Sequence, residues 1–140
     1  MIKALADASA ASVTVAARDE AKGSDAAKFA PAGEAIEWSL AERASGEADL
    51  IVNATPLGSN GENPLPGAPL HSGQVVVDLL YTPPTTALVR SARGAGAQGW
   101  GGLGMLVHQA AASFRIWTGQ EPALQVMSAA ALHAMTGGRS

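Results

Sequence analysis

Gln74-Val75-Val76-Val77-Asp78-Leu79 decides the architecture. Its apolar run is continuous rather than alternating, the mark of a strand covered on both faces, as in a parallel sheet. Asp49-Leu50-Ile51-Val52-Asn53 reads the same way. Residues 56–73 between the two are a loop carrying Pro56, Gly58, Gly61, Pro64, Pro66, Gly67 and Pro69. A loop of that length inside a compact domain tends to be functional. Working outward, Ser12–Ala16 is a β-branched strand, and Asp19 caps a helix running to about Phe29, which Pro31 and Gly33 close. Ala35–Trp38 is a short strand, Leu40–Ala44 a brief helix, and residues 2–9 have helical spacing. Downstream, Pro83-Pro84 precedes a helix from Thr85 to Ala92, then a weak strand at Ala97–Trp100. A long helix follows from Met105 to Trp117; Gly119 ends it, and Pro122 opens a last helix to about Met135. Five strands separated by helices mean βαβ units with right-handed crossovers, hence an α/β fold with a doubly wound parallel sheet.

Composition narrows the function classes. Of the 140 residues, 47% are hydrophobic and 15% charged, enough apolar material for a core and too little charge for disorder. The net charge of -3 lacks the basic surplus expected of a nucleic-acid binder. With no cysteine there is no disulfide framework, thiolate metal site or cysteine nucleophile, and His71, His108 and His133 are too scattered to suggest a metal centre. No run of about 18 apolar residues is present and Asp7 interrupts the first apolar stretch, so the expectation is a cytoplasmic protein without a membrane segment.

In an open parallel sheet, ligands bind beyond the carboxyl ends of the strands. After the first strand comes Ala17-Arg18-Asp19-Glu20-Ala21-Lys22. An acidic residue here accepts from the ribose 2′-hydroxyl of NAD, whereas arginine suits the 2′-phosphate of NADP, and Lys22 would add a second cation. By themselves, Arg18 and Lys22 read as solvated surface charges. Asp78 reads as a turn-capping carboxylate, and Trp38, Trp100 and Trp117 as core aromatics. A G-x-G-x-x-G turn between a strand and a helix is missing, and Gly102-Leu103-Gly104 has the wrong spacing and position to replace it.

Three further segments stand at strand ends: Asn53-Ala54-Thr55-Pro56-Leu57-Gly58, Val76–Pro83, and Gly102–Gln109, the last followed by an alanine-rich stretch and Trp117-Thr118-Gly119. In this order and spacing the chain resembles the carboxyl-terminal part of the shikimate dehydrogenase family. The resemblance implies an incomplete Rossmann-like sheet, its first strand and glycine-rich loop absent, with residues 1–140 forming a partial NADP-binding domain and helices over about 105–135. It implies reduction of 3-dehydroshikimate to shikimate with NADPH, on the route to chorismate and the aromatic amino acids. Arg18 and Lys22 match positions that hold the 2′-phosphate. Thr55, Leu79, Gly102 and Met105 match other cofactor contacts, and Tyr81 and Gln109 match substrate contacts. Asp19 stands where the family often has threonine, Ser59 where methionine is usual, and Gly101 where aspartate is usual.

The family's catalytic lysine and aspartate belong to an amino-terminal substrate domain; Lys3 and Asp7 lie on a different element and are not that pair. The expectation is therefore no catalytic residue in these 140 residues and little turnover from them alone. Two other readings stay open here: a non-catalytic NADP-binding or interaction module complemented by a separate substrate domain, and a quinate-type dehydrogenase. The partners expected are a small cyclic acid, a missing amino-terminal domain or a second copy in a homodimer, with neither nucleic acid nor membrane. A missing central strand would deprive the first and third strands here of a neighbour, unless those two pair directly.

Overall fold

The computed structural model describes residues 1–136. The chain divides into two compact units, Met1–Ala48 with Gly67–Pro69, and Asp49–Pro66 with Leu70 onward.

In the first unit, helix α1 (Ile2–Asp7) precedes strand β1 (Val13–Ala17), helix α2 (Glu20–Ala27), strand β2 (Gly33–Glu37), a 3-10 turn at Trp38–Leu40 and helix α3 (Ala41–Ser45). β1 and β2 are parallel, with Val13 level with Gly33 and Ala17 level with Glu37, so their carboxyl ends finish side by side. The α2 crossover lies close on the pair because small residues face the sheet. Gly23 and Ala27 are buried, and a Cβ on Gly23 would stand 3.0 Å from that of Ala17. Asp19 is the N-cap of α2 as its side chain demands, accepting from the Lys22 backbone N–H at 3.1 Å. In α1, Lys3 Nζ lies 3.0 Å from Asp7 Oδ1, an exposed pair one helical turn apart.

In the second unit, β3 (Leu50–Asn53), β4 (Val75–Asp78) and β5 (Gln98–Trp100) form a parallel sheet in that order, with α4 (Ala87–Gly94) between β4 and β5 and with α5 (Leu103–Thr118) and α6 (Leu124–Thr136) after it. Asn53 is level with Asp78, and Val77 with Trp100. Val76 and the inner face of α4, Leu88, Val89 and Ala92, are the best-buried apolar side chains. Burying a leucine or valine fully contributes roughly 1.5–3 kcal/mol, so this contact holds the unit together. α5 ends at Gly119 with φ of 68°, the left-handed cap that glycine allows.

Every strand and helix expected from the sequence is present within a few residues, and all ladders are parallel. The direct pairing of the first and third strands does not occur: among the described residues β1 is laddered to β2 and β3 to β4. The tryptophans need correcting. Trp100 is 59% exposed and Trp117 82% exposed, and Trp38 is half-buried rather than central. In β5 the inward position is Gly99, where a Cβ would already press on Val89 O at 3.0 Å, so its neighbour Trp100 faces away from α4. No helix among the described residues is long and apolar enough to cross a membrane.

Candidate functional site

The first unit holds an open cleft of about 290 Å³ lined by Ala17, Arg18, Glu20, Glu37, Trp38 and Ser39. It lies where β1 and β2 both end, the place the strand-end rule assigns to ligands in such sheets. Its volume is near the lower end of ligand sites, roughly 300–1,000 Å³. Arg18 is exposed at the cleft and makes no ion pair or side-chain hydrogen bond among the described residues, leaving its guanidinium available. Lys22 is engaged differently: its Nζ is 3.4 Å from Asp19 Oδ2, and both side chains are exposed. The Lys22 backbone N–H, then its side chain, hold the Asp19 carboxyl below the ordinary aspartate range. Ser39 donates to Glu37 Oε2 at 3.1 Å. The residues at the end of β2 carry no recognisable motif and are missed by sequence reasoning, although the strand-end rule points equally at Glu37, Trp38 and Ser39.

In the second unit one hydrogen-bond chain shapes the strand ends. Asn53 Nδ2 donates to Asp78 Oδ1 at 3.0 Å and to Leu57 O at 2.9 Å. Asn53 Oδ1 accepts from Thr55 Oγ1 at 2.7 Å and from the Thr55 backbone N–H at 3.1 Å. Thr55 Oγ1 accepts from the Leu57 N–H at 3.2 Å, so this hydroxyl is spent on folding the turn. Asp78, fully buried, is the turn carboxylate its position predicts. Its Oδ1 also takes the Leu80 N–H at 3.1 Å, and its Oδ2 takes the Thr86 hydroxyl at 2.7 Å. Thr86 in turn caps α4. Gly58, with φ of 108°, lies against Leu80, and its N–H donates to Glu62 at 2.8 Å.

Gly102 opens α5 with its N–H donating to Leu80 O at 2.9 Å, and a Cβ there would overlap the Leu79 carbonyl. The structure thus brings Leu79 and Gly102 into contact, with Tyr81, 46% exposed, two residues beyond. Met105 and Gln109, both exposed, share one face of α5 at a spacing of four. Thr55 lies two residues beyond the end of β3, whose Asn53 is level with Asp78 of β4. Arg18 and Lys22 belong to the first unit and the other six expected residues to the second.

Level parallel strand ends, helix crossovers and polar turns at those ends define an α/β protein of the Rossmann-like class. A family model described as the Shikimate 5'-dehydrogenase C-terminal domain matches residues 102–132. A shikimate dehydrogenase (NADP(+)) from Archaeoglobus fulgidus is 44% identical over 129 residues, covering 88% of this chain and 48% of that protein. The shikimate 5-dehydrogenase of Thermus thermophilus, solved with NADP(H) and shikimate, superposes with a TM-score of 0.76 at 33% identity, over 87% of this chain and 46% of the other. Quinate dehydrogenase from Corynebacterium glutamicum, solved with NAD, gives 0.87 at 28% identity, over 94% and 49%. Over most of its length the chain matches the carboxyl-terminal region of shikimate dehydrogenases, and it spans about half the length of the curated relatives it matches.

Proposed function

We propose that these 140 residues are the cofactor-binding part of an NADP-dependent shikimate dehydrogenase, which reduces 3-dehydroshikimate to shikimate. The observation that supports this most is the cleft at the ends of β1 and β2, with the unpaired Arg18 guanidinium beside it. A cation in that position suits a 2′-phosphate, and Lys22 stands one turn further on. NADPH, when bound, would supply the hydride. The chain's own residues bind and orient: Arg18 and Lys22 take the phosphate. Thr55, with its turn locked by Asn53, Leu79, Gly102 and Met105 form the remaining cofactor contacts. At Gly102 the missing side chain lets the start of α5 pack directly on the Leu79 carbonyl, which holds Leu79 and the first turn of α5 together. Tyr81 and Gln109, a phenol and an amide, are exposed and suited to hydrogen-bonding the hydroxyls of a small cyclic acid.

The catalytic lysine and aspartate are proposed to lie in the half of the relatives' length that this chain does not span. Positioning and proton transfer supply much of such a rate, so the 140 residues turn over substrate poorly by themselves. Calorimetric titration with NADP tests the reading. Binding is expected, and Arg18→Ala should weaken it by roughly tenfold to a hundredfold, the loss of charge-assisted contacts to phosphate. Dehydrogenase activity should appear on adding the amino-terminal half of a shikimate dehydrogenase. Arg18→Ala binding NADP as the native chain does would sink the assignment of the cleft.

A further inference from the structure

The charges around the cleft do not match a site dedicated to a phosphate. Arg18 and Lys22 supply two cations, while Asp19, Glu20 and Glu37 supply three carboxylates on the same few residues. Glu20 and Glu37 line the cleft together with Arg18. Lys22 is already held by Asp19, whose carboxylate also occupies the Lys22 backbone N–H at the start of α2. That N–H would otherwise be a phosphate donor. A phosphomonoester carries about −1.5 to −2 charges at neutral pH and meets repulsion from each of these carboxylates. A ribose with a free 2′-hydroxyl meets none, and a carboxylate at this place in the fold is the group that accepts from such a hydroxyl. Ser39 holds Glu37 beside Trp38 at the end of β2.

We propose that this cleft discriminates only weakly between the two dinucleotides, so that the chain takes NAD nearly as well as NADP, with Asp19 and Glu37 as the residues that set the ratio. The proposal rests on the cleft being the adenosine site and concerns its selectivity.

The test uses the full 140-residue chain and two probes of the adenosine end, 2′,5′-ADP and 5′-ADP, titrated calorimetrically. The dissociation constants of the native chain are expected to fall within about tenfold of one another. Asp19→Asn keeps a favoured capping residue and removes the charge, and Glu37→Gln does the same on the other strand. Each should tighten 2′,5′-ADP by roughly threefold to tenfold and leave 5′-ADP unchanged or weaker. Circular dichroism checks that both variants remain folded, with Asp19→Thr as a second capping replacement. A native chain that binds 2′,5′-ADP more than about a hundredfold tighter than 5′-ADP, or folded variants that leave the ratio unmoved, would overturn the selectivity proposal and leave the site assignment standing. Failure of the folded chain to bind either probe would overturn both.

Discussion

Glu62 shows how a single exposed side chain can organise a loop. Its carboxylate accepts from the Gly58 N–H at 2.8 Å and from the Asn60 N–H at 3.2 Å, and the Gly58 bond is the main reason its pKa lies below the ordinary value of 4.5. A depressed carboxylate pKa contributes order that is complete above the unfolded value and is lost as pH falls through the folded one. Acidification from pH 5 towards pH 3 (about the range of a shifted glutamate) should therefore loosen residues 58–62. Amide exchange at Gly58 and Asn60, corrected for intrinsic rates, should speed up over that window in the native chain and be flat in Glu62→Gln. Equal profiles in the two proteins would remove Glu62 from this role. At this scale the sequence was legible where a motif carried the meaning: Asp19 as a cap, Asp78 as a turn carboxylate. Glu62 carried no such signal, because its partners are backbone amides in a loop of irregular geometry.

Between residues and the whole stand the elements that Asp78 ties together. One carboxylate serves the Asn53 side chain on β3, the Leu80 N–H after β4 and the Thr86 hydroxyl that caps α4. Removing it leaves buried donors without acceptors, each costing about 1–3 kcal/mol. Asp78→Ala should lower the unfolding free energy by at least about 2 kcal/mol in urea, well above the roughly ±0.5 kcal/mol of an ordinary surface change. A midpoint unmoved by that substitution would show the network to be incidental. Element type and order were readable because buried parallel strands and the helices between them differ so plainly in period. The facing of Trp100 and Trp117 was not, since a large aromatic is apolar whether it points at the core or away from it. What decides is the neighbour: Gly99 takes the inward place on β5, and Trp117 occupies the outer face of the last turn of α5.

At the scale of the whole molecule, among the described residues β1 is laddered only to β2 and β3 only to β4. α5 and α6 also expose Ile116, Trp117 and Val126, at 81%, 82% and 67%. Strand edges without partners and exposed apolar surface both favour association. Sedimentation velocity of the 140-residue chain should show species that grow with concentration. A single monomer boundary up to about 100 μM, well into the range where exposed edges associate, would contradict this. The parallel sheets were legible from strand composition; the grouping into two units was not, because it depends on which strands share a ladder. The loop after β3 has one more consequence. Gly67–Pro69 belongs with the first unit, where the Gly67 N–H donates to Glu42 at 2.8 Å and the Pro69 ring packs on Gly46. The polypeptide therefore visits each unit more than once, and neither can be excised by a single cut: a piece ending at Ala48 would leave Glu42 and Gly46 bare, so any attempt to divide this protein genetically must carry those three residues along.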